Sequence, residues 1–304
     1  KRNLTLFILL ILFSTFCAIS IGETWDEKYE LLRGKVSLDY FFSLGKINTH
    51  ILYREYNSPI YYTFLYFVTT IFPSIYQIEV SHMVNSFFSI CTILGIRKTS
   101  KELFNQKVGD IAFLILFFYP VFFGHMAFNS KDTILAFSHV WIFYLILRYL
   151  KYQNNKVKTN NYIFFIGLLA ATATGIKFVF LGSLLPIILF LFLEIFYFKK
   201  IVCKKFILKK IFFDLIKCFF IFYIFLILFW IDVYPNIIQL PYDYINDTFS
   251  NINKLGWYYN LINGTYYISF EVPNTYLLIN LLYKSPEYIL LSYFLFIVII
   301  LTSG

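Results

Sequence analysis

Apolar runs of roughly bilayer length recur along this chain, at 4–21, 79–96, 108–124, 133–150, 162–180, 182–198, 211–231 and 287–302. A hydrocarbon core about 30 Å thick is crossed by about 20 apolar residues in a helix. Backbone in lipid must also satisfy its own hydrogen bonds, which leaves helices and closed barrels as spanning structures. Runs this long and this uniformly apolar predict helices, so the expected fold is all-α: a polytopic transmembrane bundle. Mean hydropathy of +0.69, with 59% hydrophobic and only 14% charged residues, excludes an ordinary water-soluble globule. A further stretch, 58–72, is too short and too amphipathic for a confident span.

The net charge of +9 does not point to nucleic acid, because the basic residues fall in short loops between apolar runs. With a cytoplasmic N-terminus, about 17 of the 26 Lys and Arg lie on the cytoplasmic side, including Arg97, Lys98, Lys101, Lys107 and the basic run 199–210. Most acids then lie outside: Glu23, Asp26, Glu27, Glu30, Asp39, Glu55, Asp132, Asp243, Asp247 and Glu271. The aromatic share is 23%, but Phe, Tyr, Ile, Lys and Asn are enriched together, which reflects an AT-rich coding bias more than a binding code.

The N-terminal run is too long for an ordinary signal-peptide core, and no small-x-small cleavage site precedes Glu23 convincingly. The chain starts without Met and stops after an apolar run, so 1–304 reads as one membrane module of a longer protein, lacking a C-terminal part. Cys17, Cys91, Cys203 and Cys218 have neither metal nor redox spacing. Phosphate-binding Gly-rich loops, serine-nucleophile elbows and His-Glu-x-x-His motifs are absent from the sequence. The sequons at Asn246 and Asn263 are read as chance in an Asn-rich chain.

Four stretches carry chemistry, and the topology puts all of them on the outer side. The first outer loop, 22–78, opens with Glu23-Thr24-Trp25-Asp26-Glu27-Lys28-Tyr29-Glu30, acids set beside aromatics of the kind that sit at headgroup depth. Two amphipathic patterns follow, 31–44 and 60–72, expected to lie flat on the membrane over a cavity. Between them comes Tyr56-Asn57-Ser58-Pro59-Ile60-Tyr61-Tyr62. The third stretch holds His125, Asn129, Ser130, Lys131 and Asp132, and the fourth places Lys177 at the outer end of an apolar run. A cation near an apolar span usually has a partner, since it costs about 2.5–3.5 kcal/mol at mid-membrane. Each residue also has a plainer role: helix-dipole acids at 23–30, capping around Asp132, snorkelling by Lys177, helix breaking by Pro59. His125 is a candidate metal ligand with Asp132 or a first-loop carboxylate, although an interfacial His is more often simply hydrogen-bonded. His50 and His82 are weaker candidates, and nothing in the sequence requires a metal or other cofactor.

This order of features resembles the GT-C glycosyltransferases. It is closest to the family-39 branch of protein O-mannosyltransferases and the lipid A aminoarabinose transferase. Asp26-Glu27 is similar to the branch's Asp-Glu pair, and Ser58-Pro59-Ile60-Tyr61-Tyr62 to its Pro-Pro-Leu-Tyr-Tyr turn, with Ser and Ile at the first and third positions. Asp132 resembles the second acidic position, Lys177 a central-helix lysine, and 271–276 the loop before a late span. The basic residue that the aminoarabinose branch places before its prolines is absent, and Arg54 is the nearest cation.

The resemblance implies a GT-C bundle with juxtamembrane helices in the first outer loop. Its donor would be a polyprenyl-phosphate-linked sugar, and its acceptor a lipid, glycan or protein. The reaction would be inverting, at the periplasmic face of a bacterial inner membrane. Asp26 would be the general base and Glu27 would orient it. Lys177, with Arg54 or Lys131, would neutralise the lipid phosphate, while Tyr29, Pro59, Tyr61 and Asp132 would help form the site. A transporter or a lipid or oligosaccharide flippase is the alternative. It would be expected to show repeated halves with interrupted helices, which this sequence does not display.

Overall fold

In the computed structural model, which describes residues 2–46, 58–203, 206–239, 241–243, 246, 259–268 and 271–302, the chain is predominantly helical. The first helices are α1 (Arg2–Ile19), α2 (Glu27–Phe42), α3 (Ile60–Thr69) and α4 (Gln77–Leu103). They are followed by α5 (Gln106–Phe117), α6 (Pro120–His125), α7 (Ser130–Tyr152) and α8 (Lys156–Ile176). Next come α9 (Phe180–Ser183), α10 (Leu185–Leu193), continued by a π-helical turn at Glu194–Phe198, and α11 (Leu208–Phe229). A hairpin of β1 (Tyr259–Ile262) and β2 (Thr265–Ile268) precedes α12 (Tyr276–Lys284) and α13 (Glu287–Thr302). Arg54 and His50 lie outside the described residues.

Among the described residues, four helical segments are long and apolar enough to cross a membrane: Ser74–Leu103, Ser130–Tyr152, Phe180–Phe198 and Leu208–Phe229. A fifth arises if α12 and α13, bent by 119°, form one broken span. The surface agrees with lipid as solvent. Only 11% of the α11 span is buried, and Phe219 and Phe220 on it are each 58% exposed. In water so large an apolar face would be a liability. The chain is an integral membrane protein.

Eight spans were expected, and the shortfall has local causes. The run 108–124 breaks where Phe117 ends α5 and Pro120 opens α6; proline lacks the N–H that a continuous helix needs. The run 4–21 yields an apolar helix only over Thr5–Ile19. In α8 the first turns carry Lys156, Lys158, Asn160 and Asn161, which dilute its apolar character. The fold is all-α as expected, with one short hairpin added, in which Tyr259–Ile262 pairs antiparallel with Thr265–Ile268. Asn263 and Gly264 both have positive φ (48° and 81°), the conformation that two-residue hairpins demand.

The helices pack in a row, with α5 on α4, α4 on α7, α7 on α8 and α8 on α11, while α1 lies on α4. Trp141 Nε1 donates to the Cys91 carbonyl at 3.0 Å and Arg148 Nη1 to Glu102 at 3.3 Å, so α4 and α7 run in the same direction. Their starts therefore share one end of the bundle, together with the end of α8. Side-chain oxygens of Asn105, Asn129 and Asn155 accept from Val108, Asp132 and Lys158 N–H, starting α5, α7 and α8. Such caps are worth about 1 kcal/mol each.

Helix α2 packs on the bundle through a polar side and leaves Tyr29, Leu32 and Phe42 exposed. The buried residues of α2 are Glu27, Glu30, Leu31, Arg33, Gly34 and Ser37, a largely polar stripe. At Gly34 an added Cβ would lie 2.1 Å from the Tyr62 carbonyl oxygen, so only glycine allows α2 to seat on α3. Gly175 does the same for α8, where a Cβ would come 2.4 Å from the Ser58 carbonyl oxygen. Helix α3 thus sits among α2, α4 and α8 and buries Ile60, Tyr61, Tyr62 and Leu65.

Candidate functional site

The loop leaving α1 is held by a buried staple. Glu27 Oε2 accepts from Thr24 N–H at 2.6 Å, which closes the turn leading into α2. Its Oε1 meets His82 Nε2 at 2.5 Å, and His82 Nδ1 donates to the Ala18 carbonyl at 3.1 Å. His82 and Glu27 are buried, at 0% and 1% exposed. Three elements, the end of α1 and the starts of α2 and α4, are tied through these two side chains.

With that loop fixed, Asp26 turns outward and pairs with Lys131 Nζ at 2.7 Å. One turn on, Glu30 points inward, where Ser130 Oγ donates to it at 2.6 Å and Lys131 Nζ lies 3.9 Å away. Asp132, capped by Asn129, receives Lys177 Nζ at 2.7 Å. Lys177 is able to reach it because α8 ends there and its own backbone is extended. Asp26, Glu30, Lys131, Asp132 and Lys177 line a single cleft of about 470 Å³, with Trp25 and Phe128 also on its walls.

The Asp26 and Asp132 side chains are 56% and 63% exposed. Ion pairs so exposed are worth about 0–1 kcal/mol. Folding has little stake in them, and an incoming anion would compete for both lysines at small cost.

Glu30 differs from its neighbours. It is only 3% exposed, and burial raises its carboxyl from the ordinary range to about 7, against the opposing pull of Ser130 and Lys131. A carboxyl poised near neutrality is suited to moving protons. A raised folded-state pKa means that the stabilising contribution is full below about 4.5 and disappears as pH rises through about 7. Parent stability should therefore fall by roughly 3 kcal/mol across that window, at about 1.36 kcal/mol per unit. Glu30→Gln should remove this dependence, so chemical unfolding in detergent at pH 4.5 and pH 8 would separate the two proteins. Parallel pH profiles would mean that Glu30 does not titrate as its burial implies.

The structure brings together Asp26, Lys131, Asp132 and Lys177 as expected. Glu27 is withdrawn onto His82 instead of facing the cleft. Tyr61 is buried and donates to Asn85 Oδ1, Pro59 precedes α3 and its carbonyl accepts from Thr63, and Tyr29 is half exposed; none lines the cleft. His125 Nδ1 faces Asn129 Nδ2 at 3.2 Å, and its ring lies beside Phe128. Among the described residues, no group of three His, Cys, Asp or Glu side chains could hold a metal ion, so His125 has no ligand set around it. Glu30, His82 and Asn129 are the contributors that the sequence reading underweighted.

Lys177 has a second neighbourhood. It also borders a groove of about 410 Å³ between α7 and α9, walled by Leu135, Val140, Val179 and Phe180. There His139 Nε2 meets the Ser183 carbonyl at 3.0 Å. The ammonium thus stands where an acidic, open cleft adjoins a mainly apolar groove. Comparison with protein-family models, curated proteins and solved structures returns no match to this chain.

Proposed function

We infer that this chain is a membrane glycosyltransferase of GT-C character, moving a sugar from a polyprenyl-phosphate donor to an acceptor at the outer, periplasmic face of a bacterial inner membrane. The observation that carries the reading is the position of Lys177, between the acidic cleft and the apolar groove. A polyprenyl-phosphate sugar has the same order of parts: apolar tail, anionic phosphate, polar sugar. With the phosphate at Lys177, the tail runs into the groove of α7 and α9 and the sugar enters the cleft. Asp26, an exposed carboxylate of the cleft that is not tied to Lys177, meets the acceptor there.

In the step that follows, Asp26 takes the proton of an acceptor hydroxyl as its oxygen attacks the anomeric carbon. The bond from that carbon to the phosphate oxygen breaks, and its electron pair leaves with the polyprenyl phosphate. Attack opposite the leaving group inverts the anomeric centre. Lys177, with Lys131 nearby, offsets the charge that grows on the leaving phosphate, at the point in the reaction where such help lowers the barrier. Asp132 holds Lys177 in place until the donor arrives.

Lys177→Ala should slow transfer about 10²–10³-fold, the usual cost of removing one donor to a developing oxyanion. Lys177→Arg should recover part of this, since a planar fork substitutes imperfectly for a compact ammonium. The measurement is transfer of radiolabelled sugar from polyprenyl phosphate in membranes, at matched expression. Undiminished turnover in Lys177→Ala would reassign the lysine to snorkelling and remove the basis of the reading.

A further inference from the structure

We propose that the end of the bundle remote from the acidic cleft seats the headgroup of an anionic phospholipid among Lys156, Lys209, Lys210 and Lys217. This does not rest on the sugar-transfer reading. Helix α8 has 21 residues and rises about 31 Å from Lys156 to Ile176, so Lys156 and Lys177 stand at opposite ends of a bilayer-thick bundle. The four lysines line a cavity of about 400 Å³ between the start of α8 and the first turns of α11.

The cavity has cations to spare. Its lining includes one carboxylate, Asp214, which is buried and already accepts from Tyr149 Oη at 2.9 Å and Lys217 Nζ at 3.4 Å. Lys210 donates to the Gln153 carbonyl. Lys156 and Lys209 have no acidic partner among the described residues. Four positive charges against one negative, gathered around a concavity, favour an anion.

The walls decide which anion. Ile207 and Phe213 also line the cavity, and each is 52% exposed. They lead onto Phe212, Phe219 and Phe220, exposed along the part of α11 that faces lipid. A phosphate held by the lysines places its acyl chains against these side chains. A soluble phosphate uses the lysines and leaves the apolar wall idle. Basic pockets between membrane helices are suited to anionic headgroups for this combination of reasons.

The test uses the full chain, purified and delipidated in nonionic detergent, with retention of labelled phosphatidylglycerol measured against phosphatidylcholine. The parent should prefer phosphatidylglycerol at least tenfold. Each lysine near an anionic lipid contributes about fivefold, so Lys156→Gln with Lys209→Gln should weaken retention about 25-fold. Lys101→Gln with Lys107→Gln removes the same charge outside the cavity and should leave retention unchanged, while Lys156→Arg with Lys209→Arg should keep it. Equal losses in both Gln pairs would reduce the effect to net charge and overturn the site. Displacement by millimolar inorganic phosphate would overturn the lipid assignment in favour of a soluble anion. No preference between the two lipids in the parent would overturn the proposal outright.

Discussion

Asp26→Asn is expected to slow sugar transfer by about 10²–10⁴-fold, the range lost when a general base is removed. The substitution isolates the proton-accepting role. Asn keeps the size of Asp and still offers an oxygen to Lys131, which lies 2.7 Å from the native carboxylate. That pair is exposed and worth little to folding, so insertion and expression should be unaffected. The informative quantity is the ranking among neighbouring acids. Glu30→Gln should cost less than Asp26→Asn but should be clear, because Glu30 lines the same cleft and is held by Ser130. Glu23→Gln should hardly matter, as Glu23 pairs with the exposed Lys28 at 3.3 Å and does not line the cleft. Transfer assayed in membranes at matched expression reads all three. Similar small losses across them would describe a diffuse acidic surface, and full activity in Asp26→Asn would remove the base from the mechanism.

The convergence of Asp26, Lys131, Asp132 and Lys177 was readable without coordinates because lipid restricts where charge can sit. Charges are driven to span ends, and successive spans return alternate loops to the same face, so residues far apart in sequence meet there. The direction each acid faces was not readable in this way. Glu27 and Glu30 are three residues apart and share the buried stripe of α2 with Gly34 and Ser37, while Asp26 falls outside it. An amphipathic pattern says which residues share a face but assumes that the apolar one is covered. Here α3 packs on the polar one, with Ser130 of α7 and His82 of α4 supplying partners for its carboxylates.

His82 was hidden for a related reason. It lies inside the apolar run 79–96 with Asn85, Ser86 and Ser89, all of them buried. Averaged hydropathy smooths such a polar seam away, although a span carrying one must bury it against protein. Span count fell short where Pro120 divides a continuous apolar run and where Lys156, Lys158, Asn160 and Asn161 dilute the start of α8. The Asn263-Gly264 pair is a hairpin signal in the sequence and forms the turn between β1 and β2.

Glu27→Ala is expected to destabilise the protein by about 1–3 kcal/mol, the penalty for leaving a buried hydrogen-bonding group without its partner. The hydrogen bonds explain why. The Ala18 carbonyl accepts only, so His82 Nδ1 carries a proton, and one further proton lies between His82 Nε2 and Glu27 Oε1. Glu27 Oε2 meanwhile serves Thr24 N–H. Alanine leaves the buried histidine edge without a partner, frees the half-buried Thr24 amide, and releases the junction of α1, α2 and α4. Glu27→Gln should behave differently. Its carbonyl oxygen still accepts from Thr24, and its amide donates to His82 Nε2, so a neutral imidazole satisfies every group and stability should stay within about 1 kcal/mol of the parent. Thermal unfolding in detergent, with sugar transfer assayed on the same samples, separates two roles for this residue. A catalytic Glu27 would lose activity as Gln while staying folded. A Glu27 that positions Asp26 through the staple should retain most activity as Gln and lose both fold and activity as Ala. An alanine variant as stable as the parent would mean that the staple does not hold the loop.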